Sequence, residues 1–343
     1  MLTIDLDALA ANYAELRKHA GTAEVAPVVK ADGYGLGASP IARRLLAEGA
    51  SSFFVARLPE GVALRGALGD GPAIYVLDGC TEDAAETLGH YGLTPVLNTV
   101  EQIERWGDRE AALMIDTGLN RLGVTESQAE GLKGGPFTIV MSHLACADTP
   151  DHPMNRRQLV RFLAAASHFP SARRSLAASD GLFIGPDFAQ DMVRTGICLY
   201  GGGPEGRPDP RIRQVATFEA PVLQVRTLRP GDSVGYGTAF TATQTTQAAV
   251  VAAGYADGIL RAAAPAAYAS LAGKRCAVLG RVSMDLTVFD VTDMPEATPG
   301  AMMQLVGPDV PVDTAAAFAG TIAYELLTRL GARAERRYVG KQG

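Results

Sequence analysis

The chain contains the stretch Ala26-Pro27-Val28-Val29-Lys30-Ala31-Asp32-Gly33-Tyr34-Gly35. Its apolar start, rich in β-branched residues and followed by glycines, predicts a buried strand that opens into a loop. Lys30 stands at that junction, on the face that barrel enzymes use for chemistry. A desolvated lysine amine has a lowered pKa and becomes a nucleophile able to form a Schiff base. The plain alternative is a strand-end lysine whose amine reaches solvent.

The same strand signal recurs at regular spacing along the first part of the chain. Eight β units with intervening helical stretches over roughly 200 residues predict an α/β fold, an N-terminal (β/α)8 TIM-type barrel. A doubly wound open sheet is the alternative, but no G-x-G-x-x-G pattern follows the first strand to support it. The apolar runs are Ala26–Val29, Phe53–Ala56, Ile74–Leu77, Thr94–Leu97, Ala112–Ile115, Thr138–Met141, Leu176–Ala178 and Met192–Val193.

Near residue 215 the pattern changes to short strand-like runs separated by Gly, Pro and Asp turns. A helical pattern over Thr314–Leu330 then follows. The sequence therefore predicts a barrel domain at residues 1–214 and a C-terminal β-rich domain at residues 215–343. The strand-like runs are Phe218–Val225, Ala248–Ala253, Cys276–Leu279, Leu286–Val291 and Met302–Val306.

Composition restricts the class of protein and its partners. Of 343 residues, 47% are hydrophobic and 20% charged, which is typical of a soluble globular protein. The net charge of −6 argues against nucleic acid and anionic membranes as partners. The N-terminus has no basic, apolar leader pattern, so we expect no signal peptide and a cytoplasmic location. The scattered cysteines and histidines lack ligand spacing, so we expect neither disulfides nor a protein-bound metal.

Polar side chains follow the predicted barrel strands. A barrel gathers its chemistry at these strand ends, so the sequence predicts one site there. The glycine-rich segment 194–203, together with the Ser179 hydroxyl, suits a phosphate, although a simple linker would explain Gly201–Gly203 equally well. A Schiff-base lysine, a phosphate pocket and a charged partner for a ring nitrogen are typical of a pyridoxal-phosphate site. The strand-end residues are Lys30, Arg57, Asp78, Asn98, Asp116 with Arg121, His143, Ser179 and Arg194.

A series of motifs resembles those of the alanine racemase family, in the family's order and over nearly the whole chain. One such motif would be weak, but the ordered set is specific. The motifs are Val29-Lys30-Ala31-Asp32-Gly33-Tyr34-Gly35, Asp116-Thr117-Gly118-Leu119-Asn120-Arg121-Leu122-Gly123, His143-Leu144-Ala145, Arg194-Thr195-Gly196-Ile197, Val234-Gly235-Tyr236-Gly237, Gly254-Tyr255-Ala256-Asp257-Gly258, Ser283-Met284-Asp285 and Tyr324-Glu325-Leu326-Leu327.

The resemblance implies a pyridoxal-phosphate-dependent racemase that interconverts L-alanine and D-alanine and supplies D-alanine for peptidoglycan. Lys30 would carry pyridoxal 5'-phosphate as an internal aldimine and serve as one of two bases. Tyr236 would be the base on the opposite face of the substrate. A tyrosine has a pKa of about 10, so it needs cationic neighbours to act as a base at neutral pH. His143 and Arg121 are the candidates.

The resemblance also implies roles for the remaining site residues. Arg121 would hold the substrate carboxylate with help from the Met284 N–H, Tyr255 would stand at the site entrance, and Asp116 and Asp285 would support the site. Arg194 would face the pyridine nitrogen, and because a guanidinium keeps its proton that nitrogen would stay unprotonated, which discourages side reactions. The expected phosphate-holding residues are Tyr34, Ser179, Gly196, Ile197 and Tyr324.

Because Lys30 and Tyr236 fall in different predicted domains, the resemblance implies a homodimer with shared active sites. The chain departs from the family pattern at two positions. Met114 stands where many members have a lysine whose carbamate braces the arginine that is Arg121 here, so Asp116 or a bound anion would have to position it. Ser175 stands where a histidine often packs against the pyridine-nitrogen arginine. Both changes affect support around the site.

Three alternatives stay open from the sequence. A broad-specificity or serine racemase would use the same scaffold. A pyridoxal-phosphate carrier without catalysis would need only the barrel, and the β-rich domain with Tyr236 speaks against it. A decarboxylase on the related two-domain scaffold fits the Val234–Gly237 motif less well.

Overall fold

The structure, a computed structural model, describes residues 1–331 and 333–342, and the chain forms two compact units. The first unit contains Ala10–Leu199 and residues 341–342. The second contains Met1–Leu9 and Tyr200–Gly340. Within the described residues, no helix combines the length and apolar character needed to cross a membrane.

Strands and helices alternate through residue 195, as the spacing of the apolar runs predicts. The elements are β1 (Leu2–Asp5), α1 (Leu6–Ala20), β2 (Glu24–Pro27), α2 (Lys30–Tyr34), α3 (Ala38–Ala47), β3 (Ser52–Val55), α4 (Leu58–Leu68), β4 (Ala73–Val76), α5 (Ala84–His90), β5 (Thr94–Leu97), α6 (Val100–Trp106), β6 (Ala111–Met114), α7 (Glu126–Gly131), β7 (Phe137–Met141), α8 (Pro153–Ala166), β8 (Arg173–Ser175), α9 (Ser179–Ile184), α10 (Pro186–Ala189) and β9 (Met192–Thr195).

The strands β2 to β9 form a closed parallel barrel in the first unit. Strands β3 to β8 pair in sequential order within one sheet, and β2 pairs with β9. Single bridges from Val28 to Phe54 and from Ala178 to Arg194 join the two ladders. Strands buried on both faces read as continuous apolar runs, which is why the sequence signal was strong. The predicted (β/α)8 barrel is confirmed, and the open sheet is excluded.

Two barrel strands begin and end at least two residues earlier than predicted. β2 ends at Pro27, so Val28 and Val29 follow the strand rather than complete it. The seventh strand is Arg173–Ser175, not Leu176–Ala178. The apolar pattern missed it because Arg173 and the residue after it are partly exposed and charged; Arg173 Nη2 pairs with Glu24 Oε2 at 2.6 Å.

The rest of the chain consists mainly of short strands followed by two helices. The elements are β10 (Ala216–Leu228), β11 (Ser233–Val234), β12 (Phe240–Thr241), β13 (Thr246–Val251), β14 (Tyr268–Leu271), β15 (Lys274–Ala277), β16 (Thr287–Asp290), β17 (Met302–Val306), α11 (Val312–Ala317), α12 (Ala323–Arg329) and β18 (Arg336–Val339), with short 3-10 turns at Ile197–Leu199, Pro204–Gly206, Tyr236–Thr238, Tyr255–Asp257 and Arg261–Ala263.

The second unit is β-rich, as predicted, and the first strand of the chain is part of its sheet. β1 lies between β10, which is antiparallel to it, and β18, which is parallel to it. The long β10 also pairs with β13 and β17. The helical pattern over Thr314–Leu330 is divided into α11 and α12, because the chain turns at Gly320, where φ is 66°. The domain boundary between residues 214 and 215 stays a prediction.

Candidate active site

Lys30 begins α2, which is a single left-handed turn rather than an ordinary α-helix. Ala31, Asp32, Gly33 and Tyr34 have φ values of 52°, 54°, 62° and 58°. The Lys30 amine has no hydrogen bond or ion pair with any residue that the structure describes. Burial and the positive charge of Arg121 lower its pKa, while Glu60 and Asp78 act in the opposite direction. The amine therefore has the desolvated setting that the sequence predicts.

Arg194 is a buried guanidinium in β9 that is surrounded by neutral oxygens. Its Nη1 donates to Ser175 Oγ at 2.6 Å, and its Nη2 donates to the Ser142 carbonyl at 2.6 Å. Burial lowers its pKa to about 10, so it stays protonated at neutral pH. No acceptor for its Nε is found among the described residues. One donor of Arg194 is thus left for a group that the protein does not supply.

His143 follows β7 and lies beside three cations. Arg194 Nη2 is 3.5 Å from His143 Nδ1. Burial, together with the charges of Arg194, Arg121 and Lys30, lowers the pKa of His143 to about 3. His143 is therefore neutral at pH 7. It can form hydrogen bonds but cannot act as the cationic neighbour that the sequence suggested for Tyr236.

A buried polar network that sequence reasoning missed holds the His143 backbone. Gln158 in α8 donates from Nε2 to the His143 carbonyl at 2.9 Å and accepts the Ala145 N–H at 2.8 Å. The same Nε2 lies 3.3 Å from Thr117 Oγ1, which in turn lies 2.8 Å from Ser142 Oγ. The sequence signal for this network is Gln158 itself, a polar residue on the apolar face of α8, because a buried amide needs hydrogen-bond partners.

Asp116 shapes the loop that carries Arg121. Its Oδ1 accepts the backbone N–H groups of Gly118, Leu119 and Asn120 at 2.9, 3.0 and 3.1 Å. Arg121 is exposed and has no ion pair or hydrogen bond within the described residues. Asp116 therefore supports Arg121 through the backbone turn and not through a direct ion pair.

Arg121 and His143 line a small cavity of about 60 Å³ in the barrel unit. Met114, at the end of β6, lines the same cavity. Its thioether occupies the position at which, by the family resemblance, many members have a carbamylated lysine. A thioether is an apolar, weak acceptor, so Met114 fills space beside Arg121 without bracing it electrostatically.

The segment after β9 packs against the left-handed turn. Ser179 Oγ accepts the N–H of Gly196 at 2.9 Å, while the N–H of Ile197 has no acceptor among the described residues. A Cβ on Gly196 would lie 2.2 Å from Tyr34 Oη, so only glycine allows this approach. Burial raises the pKa of Tyr34, which keeps its hydroxyl protonated. The Thr195 hydroxyl is also buried without a partner.

The remaining strand-end residues serve the barrel itself. Asn98 Nδ2 donates to the carbonyls of Leu77 and Val96 at 2.9 and 2.8 Å, which fixes the end of β5. Arg57 Nε lies 3.9 Å from Asp78 Oδ2 in an exposed ion pair. These residues lie at strand ends, as predicted, and Asp78 is also close enough to Lys30 to act on its pKa.

The second unit carries Tyr236, Tyr255, Met284, Asp285 and Tyr324. Tyr236 lies in the turn between β11 and β12 with 76% of its surface exposed and no hydrogen bond within the described chain. Met284 is 54% exposed. Tyr324 lies at the start of α12 and is partly buried. Three large side chains of this unit, those of Tyr236, Tyr255 and Met284, therefore face solvent in the single chain.

The loops that carry Tyr255 and Met284 are joined to each other. The N–H of Tyr255 donates to the Ser283 carbonyl at 3.0 Å, and a Cβ on Gly254 would lie 2.3 Å from the Met284 carbonyl. Arg333 links the same loops through Asp285 Oδ1, at 2.6 Å from Nη1.

Arg333 also pairs with Asp257, with 3.5 Å between Arg333 Nε and Asp257 Oδ1. Asp257 Oδ2 also accepts the N–H of Gly254 at 2.9 Å. Arg333 lies outside every motif noted in the sequence, and nothing in its local pattern marked it.

Comparison with known proteins covers both units. The alanine racemase N-terminal domain family matches residues 4–204, and the alanine racemase C-terminal domain family matches residues 215–338. The alanine racemase of Rhodospirillum rubrum is 46% identical over 99% of this chain and 96% of its own. The structure of alanine racemase from Bartonella henselae with covalently bound pyridoxal phosphate superimposes with a TM-score of 0.93 at 34% identity over 99% of each chain. That of the Acinetobacter baumannii enzyme gives 0.92 at 32% identity, with 99% of each chain covered. The chain therefore belongs to the alanine racemase family.

Proposed function

We propose that this protein is an alanine racemase that interconverts L-alanine and D-alanine with pyridoxal 5'-phosphate. The observation that carries the proposal is the desolvated amine of Lys30, which lies near Arg121 and His143 and has no ion pair or hydrogen bond with a described residue. The full-length similarity to alanine racemases supports the same activity.

The groups that the barrel unit leaves unpaired fit the parts of pyridoxal phosphate. The Lys30 amine suits the aldehyde carbon, the free Nε of Arg194 suits the pyridine nitrogen, and the Ile197 N–H suits the phosphate. Tyr34, Ser179 and Gly196 shape the segment around that N–H. The family resemblance adds the hydroxyl of Tyr324 as a further phosphate-holding group. When bound, the cofactor supplies an electron sink for the bond to the substrate α-carbon.

The side chains of this chain then hold the substrate and move its α-proton. Arg121, an exposed cation without a partner among the described residues, binds the substrate carboxylate, and the Met284 N–H assists. Lys30 Nζ exchanges the proton on one face, and its lowered pKa favours the neutral amine that this role requires. Tyr236 Oη exchanges it on the other face. In the homodimer inferred below, Arg121 would be the cationic neighbour of Tyr236, because a guanidinium keeps its proton.

We further infer a homodimer in which Tyr236, Tyr255 and Met284 complete the site of the partner. The exposure of these three side chains in the single chain supports this arrangement. Mixing Lys30→Ala with Tyr236→Ala protein should restore activity through hybrid dimers that contain one intact site. If subunits exchange and no activity returns, each site is built within one chain.

The cellular setting rests on the family resemblance. We infer that the enzyme acts in the cytoplasm and that its D-alanine is used for peptidoglycan. Growth of a D-alanine auxotroph on expression of this chain without a leader would support both inferences. Failure to grow, despite racemase activity in the lysate, would count against them.

The activity itself is tested with the purified protein and single L-amino acids in deuterated water. Exchange of the α-proton together with inversion of alanine supports the proposal. Faster exchange with serine would favour the serine racemase, and binding without exchange would favour a carrier. Lys30→Ala is the companion variant, and unchanged visible absorbance of its bound cofactor would contradict the assignment of Lys30.

A further inference from the structure

We propose that Glu60 is a positioning residue for Lys30, because its carboxylate joins the residue after the lysine to the end of the neighbouring strand β3. The inference rests on the proposed function, in which the Lys30 amine holds pyridoxal phosphate. It adds a residue that lies outside the quoted motifs and is distant from Lys30 in the sequence.

The contact geometry of Glu60 is that of a bridge. Glu60 lies in the first turn of α4, and its Oε2 accepts the N–H groups of Ala56 and Arg57 at 2.8 and 3.1 Å. Its Oε1 accepts the N–H of Ala31 at 2.7 Å. One carboxylate therefore satisfies backbone donors from two separate barrel segments, and Ala31 directly follows Lys30.

Only part of this arrangement is explained by capping of α4. In a capping box the side chain of the third helical residue accepts the N-cap N–H, which Oε2 already does here. The helix α7 has the same local motif, in which Gln128 Oε1 accepts the Thr125 N–H at 2.9 Å. Gln128 is exposed and its Oε1 contacts Thr125 alone. The contact from Glu60 to Ala31 is not required for a helix cap.

The backbone that Glu60 holds is strained. Ala31, Asp32 and Tyr34 carry side chains at positive φ, which costs about 1–2 kcal/mol for each L-residue. Such a turn persists only when surrounding contacts fix it. The hydrogen bond to the Ala31 N–H lies at the first peptide of the turn, directly after Lys30. It therefore fixes the direction in which the lysine side chain leaves the backbone.

The charge of Glu60 acts on the same lysine. It opposes the lowering of the Lys30 pKa by burial and by Arg121. Removal of the charge should lower that pKa further, while loss of the Ala31 contact should misplace the amine. These two consequences can be separated in one experiment.

The variant Glu60→Gln distinguishes bridging from capping. The glutamine side chain has one carbonyl oxygen, which accepts two N–H groups when it faces Ala56 and Arg57. This is the capping position that the Gln128 oxygen takes in α7. The NH2 group of the new side chain then faces the Ala31 N–H, so the hydrogen bond to Ala31 is lost. The measurement is the rate at which cofactor-free protein attaches added pyridoxal phosphate, followed by absorbance between pH 6 and 10. Borohydride reduction and mass spectrometry identify the attachment residue.

We expect the midpoint of the rate profile to move to lower pH in Glu60→Gln, and the plateau rate at high pH to fall about fivefold or more. Gln128→Ala, which removes the matching cap of α7, should leave both quantities at the wild-type value. Wild-type midpoint and plateau in Glu60→Gln would overturn the proposal, as would equal changes in Gln128→Ala. If Glu60→Gln does not fold, the plateau rate is measured for Glu60→Asp, which keeps the charge but is too short to reach both segments; a plateau rate equal to that of the wild type would overturn the proposal. Failure of wild-type Lys30 to attach the cofactor would refute the proposed function itself.

Discussion

Arg194 Nη1 lies 2.6 Å from Ser175 Oγ, and that hydroxyl in turn donates to the Met192 carbonyl at 2.8 Å. Both side chains are buried. The serine hydroxyl thus accepts from the guanidinium and donates to β9, which joins strands β8 and β9 behind the arginine. A small hydroxyl therefore orients Arg194 at the position where the family resemblance suggested a histidine.

Ser175→Ala should destabilise the protein and weaken cofactor binding. The change leaves one N–H of a buried guanidinium without an acceptor, and such a loss costs about 1–3 kcal/mol. Urea unfolding and titration with pyridoxal phosphate measure the two effects. Ser167→Ala is the matched control, because Ser167 is exposed and donates only to the Ala164 carbonyl. Equal effects of the two variants would contradict this account of Ser175.

Gly196→Ala should expel the Tyr34 hydroxyl from its position. The new methyl group would lie 2.2 Å from Tyr34 Oη and 3.0 Å from Cζ, so the ring must move. We expect cofactor affinity to fall about tenfold or more, since overpacking costs about 1–3 kcal/mol.

Tyr34→Phe supplies the control for Gly196→Ala. It removes Tyr34 Oη, the atom nearest to the added methyl group. Gly196→Ala should therefore lower cofactor affinity less in the Tyr34→Phe background than in the wild type. A double-mutant cycle on cofactor affinity checks this. Strictly additive effects would show that the two residues do not compete for the same space.

His143 should make the cofactor-free protein less stable as the pH falls. Its pKa of about 3 in the folded chain lies below the ordinary value of 6.5. Between these values the unfolded chain binds a proton that the folded chain does not, so the free energy of unfolding decreases as the pH is lowered from about 6.5 towards 3. Urea unfolding at pH 7 and pH 5 should show this slope in the wild type and a shallower one in His143→Gln. If NMR shows that the His143 ring becomes protonated near pH 6.5, the prediction is refuted.

Ala31→Gly should stabilise the protein by about 1 kcal/mol, because glycine adopts positive φ without the steric cost that alanine has there. Ala164→Gly in α8 is the control, since Ala164 is equally exposed but helical, and glycine there should destabilise by about 1 kcal/mol. Thermal and urea unfolding measure both changes. Destabilisation by Ala31→Gly similar to that of Ala164→Gly would mean that the left-handed turn is not strained.

Arg333→Ala should affect substrate binding more than stability. It breaks the ion pairs of Arg333 with Asp257 and Asp285, which contribute about 0.2–1 kcal/mol, and it removes one of the links between the loops of Tyr255 and Met284. We expect KM for alanine to rise about two- to fivefold with kcat nearly unchanged. Arg156→Ala removes a comparably exposed pair with Asp187 in the barrel unit and should change neither value. An equal effect of both variants on KM would contradict the role of Arg333.

The barrel and the β-rich character of the second part could be predicted from the sequence, and so could the residues that we propose for the site. Buried parallel strands read as apolar runs, and Lys30, Arg121, His143 and Arg194 each stand in a local motif. Strand edges were less certain where charged residues belong to a strand, as at Arg173 in β8. The pairing of β1 could not be predicted from the sequence, because its partner strands β10 and β18 are distant along the chain.

Only the tertiary structure decided how the site residues are held and charged. The contacts of Glu60 with Ala31, Gln158 with His143, and Arg333 with Asp285 join residues that no periodicity connects. The neutral state of His143 likewise follows from burial among cations that arrive from separate strands. Local sequence specifies which groups can react, but hydrogen-bond partners and electrostatic surroundings are set by distances in space, which exist only after the chain has folded.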